Sequence, residues 1–210
     1  MPESQAARQL TARALKRERI LRAAVEVFAC KGYFAARMTD VAKAAGVADG
    51  TLYLYFDGKE HLLLSIFDDV LSRFINRVEG ELAALERPRD KLRVMVRLHL
   101  ETLGRDRQLA HVLQIETRHS RRFMSLFSKG RLDEYLEILR GIIGEGQQSG
   151  DFRGDISIGL ATNFVFGAVD ELITSWLLEE EPGDLVRYHK QLVTLLFEGL
   201  APCDDGDRST

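Results

Sequence analysis

Cysteine is nearly absent: only Cys30 and Cys203 occur in 210 residues. Cys30 falls on an apolar helix face and Cys203 in a polar tail, so no disulfide framework is expected and the core must hold the chain together. The five histidines, His61, His99, His111, His119 and His189, show neither HExxH spacing nor a CxxC partner, which removes the common zinc motifs. Glu116 and His119, one helical turn apart, are a pairing that many helical proteins contain by chance. No GxSxG elbow and no phosphate-cradling glycine loop is present. The residues therefore argue against an enzyme, and no metal or cofactor is expected. No segment alternates apolar and polar residues as a strand would. No long apolar run is free of charge either. The most apolar region, near 156–178, contains Asp170 and Glu171 and is not expected to span a membrane. The N-terminus lacks an apolar stretch followed by a cleavage site, so a cytoplasmic protein without a membrane partner is expected.

Net charge is also small, at −3, and its distribution says more than its sum. Residues 1–60 carry ten Lys/Arg against seven Asp/Glu, a net +3, which leaves −6 for residues 61–210. A basic N-terminal module on an acidic body suits a protein that meets phosphate at one end only. Apolar residues at 45% and charged residues at 29% describe an ordinary folded chain with enough length for a core.

The stretch from Met38 to Phe56 carries the densest pattern. Val41, Ala42 and Ala45 give one short helix an apolar face, and Leu52 and Phe56 do so for a second. Thr39 stands where an N-cap hydroxyl would serve, and Gly46 where a turn needs positive φ. This spacing predicts a helix-turn-helix, whose second helix enters a DNA major groove. Residues 1–12 are polar and expected to be unstructured. A first helix over about 15–31 carries Ile20, Leu21, Ala24, Val25 and Phe28 and stops at Gly32. Arg13, Lys16 and Arg17 at its start suit either a phosphate backbone or a solvated face.

After the motif, Asp57 and Glu60 have capping-box spacing and would start a long helix ending near Pro88. Further helices are expected over about 92–104, 109–115, 121–149, 155–178 and 184–199. The fold is all-α, divided into an N-terminal arm and helix-turn-helix domain over 1–60 and a helical effector-binding and dimerisation domain over 61–210. The helix over 155–178 is apolar on nearly every side and must be covered on every side. A homodimer through the last two helices supplies that cover and fits a two-fold, near-palindromic double-stranded DNA operator.

Phe28, Gly32, Thr39, Val41-Ala42, Ala45-Gly46-Val47, Gly50-Thr51-Leu52-Tyr53, Tyr55-Phe56, Lys59-Glu60 and Leu62 together resemble the DNA-binding domain of the TetR family of bacterial repressors. That resemblance implies about nine helices, a homodimer built by the last two, and a ligand pocket in the C-terminal body. Ala48 and Gly58 stand where the family commonly has serine, and Asp49 is the alternative cap for the second helix. The runs Val47–Phe56, Gln114–Ser120, Glu145–Gly150 and Phe166–Glu171 further resemble the FadR-like branch. That branch represses fatty-acid degradation genes and leaves DNA on binding long-chain acyl-CoA.

Carried across residue by residue, the resemblance makes Thr39, Lys43, Tyr53, Tyr55 and Lys59 candidates for DNA-backbone contacts. It puts Asp49, Gly50 and Thr51 nearest the base edges, with Asp49 serving equally as a cap. For the effector it implies an apolar tunnel and a phosphate site. Phe123, Phe127, Phe166 and Trp176 are candidates for the tunnel, although aromatics at helical spacing are more often core than pocket. Arg118, His119, Arg121 and Arg122, the densest cationic cluster of the body, are candidates for the phosphates, with Gln114 in the same network. Gly141 and Gly144 suggest a close approach to the helix over 121–149. Ligand would shift the long helix and the spacing of the two recognition helices. A TetR-type repressor answering another apolar or anionic ligand, such as a drug, a fatty acid or an aromatic acyl-CoA, is the alternative.

Overall fold

The computed structural model describes residues 5–116 and 130–202, with side chains from residue 11 onward. Among the described residues the chain forms nine α-helices and no strand. They are α1 Gln5–Lys31, α2 Met38–Ala45, α3 Asp49–Tyr53, α4 Lys59–Leu82, α5 Pro88–Gly104, α6 Arg107–His111, α7 Arg131–Ser149, α8 Ile158–Leu178 and α9 His189–Leu200. A π-helical stretch, Val112–Glu116, continues α6, and a 3-10 turn, Leu185–Tyr188, leads into α9.

Apolar residues divide into two cores. The first joins Ile20, Ala24 and Phe28 of α1 to Val41 and Ala42 of α2, to Leu52 and Phe56, and to Leu62, Leu63, Ile66 and Phe67 of α4. The second begins two turns further along α4, at Phe74, Ile75 and Val78, and takes in α5, α7, α8 and α9. One rigid helix is thus built into both halves. Val112, at the start of the π-helical stretch, also sits in the first core. Beyond Phe74, α4 is tied to α5 by half-buried charges, with Arg77 at 2.6 Å and Arg97 at 2.8 Å from Glu101, and Arg97 also bonded to Glu81. Burial alone would raise the pKa of Glu101, but hydrogen bonds from Arg97 and Arg77 outweigh it and hold the carboxyl below its ordinary value.

Several sequence expectations are corrected. Helix α1 begins at Gln5, well before the first apolar repeat. Residues 11–15 are exposed, and good helix formers such as Ala, Leu and Arg extend the helix there without burying a face. Cys30 is exposed rather than on the packed face. Thr39 lies inside the first turn of α2. Asp40 caps that helix instead, its carboxylate accepting from the Arg37 amide at 2.9 Å. Asp57 and Glu60 form no capping box: α4 follows an extended Gly58 without a side-chain cap, and the Asp57 amide donates to Nδ1 of His61 at 3.2 Å. Pro88 starts α5, where its missing N–H costs nothing, and does not end α4.

Of the two glycines expected to mark a close approach, a Cβ at Gly144 would make only an ordinary contact, 3.5 Å from Ile158 Cδ1, and the tight approach lies elsewhere. A Cβ at Gly141 would meet nothing, whereas one at Gly146 would overlap the ring of Phe152, which is buried against it. Gly146→Ala is expected to destabilise the body by about 1–3 kcal/mol through overpacking, lowering Tm by roughly 3–10 °C. Gly141→Ala should leave Tm unchanged or raise it slightly, and thermal melts of the two variants check the contrast.

Candidate functional site

At the N-terminal end, α2 and α3 meet across a tight turn. Gly46 takes φ 61, its amide donates to the Lys43 carbonyl at 3.2 Å, and the Val47 amide reaches back to Ala42 at 3.0 Å. A side chain would be strained there, so glycine sets the angle between the two helices. Helix α3 starts after Ala48, which supplies no side-chain cap, and Asp49 is exposed in its first turn. Gly50 is exposed with open space around it, so the face permits close approach of another surface. Thr51 and Tyr55 are half-buried, Tyr53 is 54% exposed, and Thr39 and Lys43 are exposed on α2. The Arg13 guanidinium lies 5.8 Å from the Tyr55 ring centre, which brings the N-terminal helix to the same face. Arg17 is engaged inward, over the Phe56 ring and 3.9 Å from Asp69.

Lys59 stands apart from the other candidates. Its ammonium donates to the backbone carbonyls of Tyr33, Phe34 and Ala36 at 2.6, 3.0 and 3.0 Å and lies over the Tyr33 ring. All three donors of the ammonium are spent on the α1–α2 loop. Burial lowers its pKa. Lys59, a candidate for a DNA-backbone contact by resemblance, thus fastens the α1–α2 loop in this structure.

The body contains an apolar cavity of about 130 Å³ between α4, α5, the π-helical stretch, α7 and α8. Phe67, Val70, Leu71 and Phe74 of α4 form one wall, and Phe166 lines the opposite side. Gln114 is buried in the wall and its amide donates to Asp170 at 2.7 Å. Trp176 does not line this cavity: it is a core residue whose indole N–H is held by the Gly183 carbonyl at 2.7 Å. Arg118, His119, Arg121, Arg122, Phe123 and Phe127 lie outside the described residues.

Two cavity residues escaped the sequence reading. His99 and Tyr135 stand with Phe74 and Phe166 in an aromatic box whose rings lie 5.4–6.4 Å apart. Nδ1 of His99 lies 3.2 Å from the Tyr135 hydroxyl. Burial lowers the His99 pKa to about 4 against the opposing pull of Asp170, and burial raises that of Tyr135. Both groups are neutral at ordinary pH. A signal was available: His99 occupies the inward stripe Leu92, Met95, Val96, Thr102, Leu103, where a polar ring needs a reason.

The DNA-binding family description "Bacterial regulatory proteins, tetR family" matches residues 20–66, and "YsiA-like protein, C-terminal region" matches residues 67–199. The chain belongs to the TetR family. The two matches meet at Ile66 and Phe67, where the first core hands over to the second along α4. The chain is 38% identical over 181 residues to a fatty acid metabolism regulator protein of Bacillus subtilis, covering 86% of this chain and 93% of that one. It is 29% identical to the HTH-type transcriptional repressor KstR2 of Rhodococcus jostii, over 89% and 91% of the two chains. Among solved structures, the fatty acid degradation regulator FadR of Bacillus halodurans superposes with a TM-score of 0.84 at 37% identity, covering 88% of this chain and 96% of that one. FadR of Bacillus subtilis, solved in complex with stearoyl-CoA, gives 0.82 at 38% identity, covering 87% and 98%. These relatives are transcriptional regulators and not enzymes. The TetR-family fold expected from the sequence, all-α with an N-terminal helix-turn-helix, is the one observed. No helix among the described residues is long and apolar enough to cross a membrane.

Proposed function

We propose that the protein is a homodimeric repressor of fatty-acid metabolism genes that leaves a near-palindromic operator when long-chain acyl-CoA enters the cavity. One observation carries the reading: the cavity wall is α4 itself. Phe67 belongs to the DNA-domain core and also lines the cavity, and Val70, Leu71 and Phe74 continue the wall over the next two turns. An alkyl chain inserted there presses on a helix whose first two turns are core to the helix-turn-helix domain. Packed cores respond to such pressure by moving as units, so the recognition helices shift together with α4. A coupling of about 1–3 kcal/mol is ordinary for linked sites and lowers operator affinity by roughly 5- to 150-fold.

On DNA, Thr39, Lys43, Tyr53 and Tyr55 meet the phosphates, and Gly50 and Thr51 face the base edges. Asp49, in the first turn of α3, favours the positive helix terminus and is repelled by phosphate, which makes it a helix-stabilising residue. The apolar faces left on α8 and α9 meet their copies across the two-fold axis.

A thermal-shift series with palmitoyl-CoA, free palmitate and a cationic dye tests the ligand class. Palmitoyl-CoA at about 100 times its Kd is expected to add about 2.7 kcal/mol to stability, raising Tm by roughly 5–10 °C. A shift with the dye and none with palmitoyl-CoA would replace this reading by that of a repressor of drug-efflux type.

A further inference from the structure

Tyr135 is buried, and within the described residues its hydroxyl has one hydrogen-bond partner, Nδ1 of His99 at 3.2 Å. A buried phenol places its proton on an acceptor, so Nδ1 accepts and the ring proton of His99 resides on Nε2. Among the described residues Nε2 has no protein partner. No buried side-chain nitrogen or oxygen among the described residues is left unpaired, so Nε2 opens on accessible space. His99 is half-buried and lines the cavity. The mainly apolar wall also carries Thr102, Gln114 and Asp170; Thr102 donates to the Leu98 carbonyl and Gln114 to Asp170, and His99 adds an N–H donor at Nε2 that faces the cavity.

We infer that His99 is a specificity-determining residue, donating its Nε2 hydrogen to a carbonyl oxygen on the effector. The inference rests on the acyl-thioester reading and names the atom that reads the thioester. A plain hydrocarbon gives such a donor nothing and strips it of water, which is unfavourable. A carboxylate would meet an uncharged ring, since burial holds His99 neutral, and would approach the side chain of Asp170 in the same wall. A thioester carbonyl is the uncharged acceptor that fits. Tyr135 is the positioning residue: by donating to Nδ1 it fixes the tautomer that leaves the Nε2 hydrogen for the ligand.

The test compares palmitoyl-CoA with hexadecyl-CoA, the thioether that keeps the chain and the nucleotide but lacks the carbonyl. Both are titrated against the wild-type protein bound to labelled operator. The wild type is expected to respond to the thioester at about tenfold lower concentration. In His99→Phe/Tyr135→Phe, which removes both polar groups and keeps the aromatic box, that preference should vanish, each ligand's potency being read against the variant's own ligand-free operator affinity. Equal potency of the two ligands on the wild type overturns the assignment and leaves the acyl-CoA reading standing, as does a preference retained by the double variant. No release by either ligand overturns both. Equal potency on the wild type overturns the assignment whether or not the double variant folds, and His99→Gln, which keeps a polar side chain of similar reach, is the second variant should the double one not fold.

Discussion

Leu195→Glu combined with Phe164→Asp is expected to give a folded monomer that no longer holds its operator. Helix α8 leaves Leu160 60% and Phe164 47% exposed, and α9 leaves Leu195 63% exposed. The Phe164 ring lies against Gly199, where a Cβ would stand 3.3 Å from it, and Gly167 on the same helix has open space around it. Large apolar side chains beside glycines make a surface that a second pair of helices can approach closely. Each protomer would contribute two carboxylates to that surface, and burying unpaired charge is prohibitive. Sedimentation should show a mass near 23.7 kDa with helical content unchanged, because both side chains face away from the protomer's own core. Operator affinity should fall by about 10²–10⁴, since one recognition helix loses the effective concentration supplied by its twin. A variant that still sediments as a dimer would place the interface elsewhere.

The second large effect is expected at Lys59. Lys59→Met keeps the apolar stem and removes three donors at once, leaving the carbonyls of Tyr33, Phe34 and Ala36 to find water. Hydrogen bonds from a charged donor contribute about 1.5–3 kcal/mol each when enclosed. These are part-exposed, so a total loss of about 2–4 kcal/mol and a Tm lower by roughly 5–15 °C are expected. Operator affinity should also fall about tenfold or more, because the loop 32–37 sets where α2 starts. A phosphate contact predicts a different outcome: weaker operator binding, a shallower salt dependence and an unchanged Tm. Measuring Tm beside the salt dependence of operator binding separates the two roles.

The helices and the motif were legible because their signals are local. Apolar residues spaced three and four apart gave α4, α5, α8 and α9 to within a few residues, and Gly46 marked its turn. The family resemblance placed Tyr53 and Gly50 on the exposed face. Positions whose meaning depends on a distant partner were not legible. Lys59 shares a pattern with phosphate-binding lysines, but its partners are backbone carbonyls 23 to 26 residues away, and sequence spacing carries no trace of them. Trp176 reads as a tunnel aromatic until its N–H is seen on Gly183. Gly146 and Gly141 look alike in α7, and only the chain's return through Phe152 separates them. His99 was legible in principle as a polar ring in an apolar stripe, but its partner Tyr135 lies 36 residues on.

Control of DNA binding by a chain bound against α4 is tested most directly by the anisotropy of a labelled operator, isolated by in vitro selection, as long-chain acyl-CoA is titrated into the bound protein. Saturable release is expected, with the operator Kd raised between about 5- and 150-fold, and it should be blunted by Leu71→Trp, which fills the cavity. Acyl-CoA that binds the protein while the operator Kd stays unchanged would contradict it.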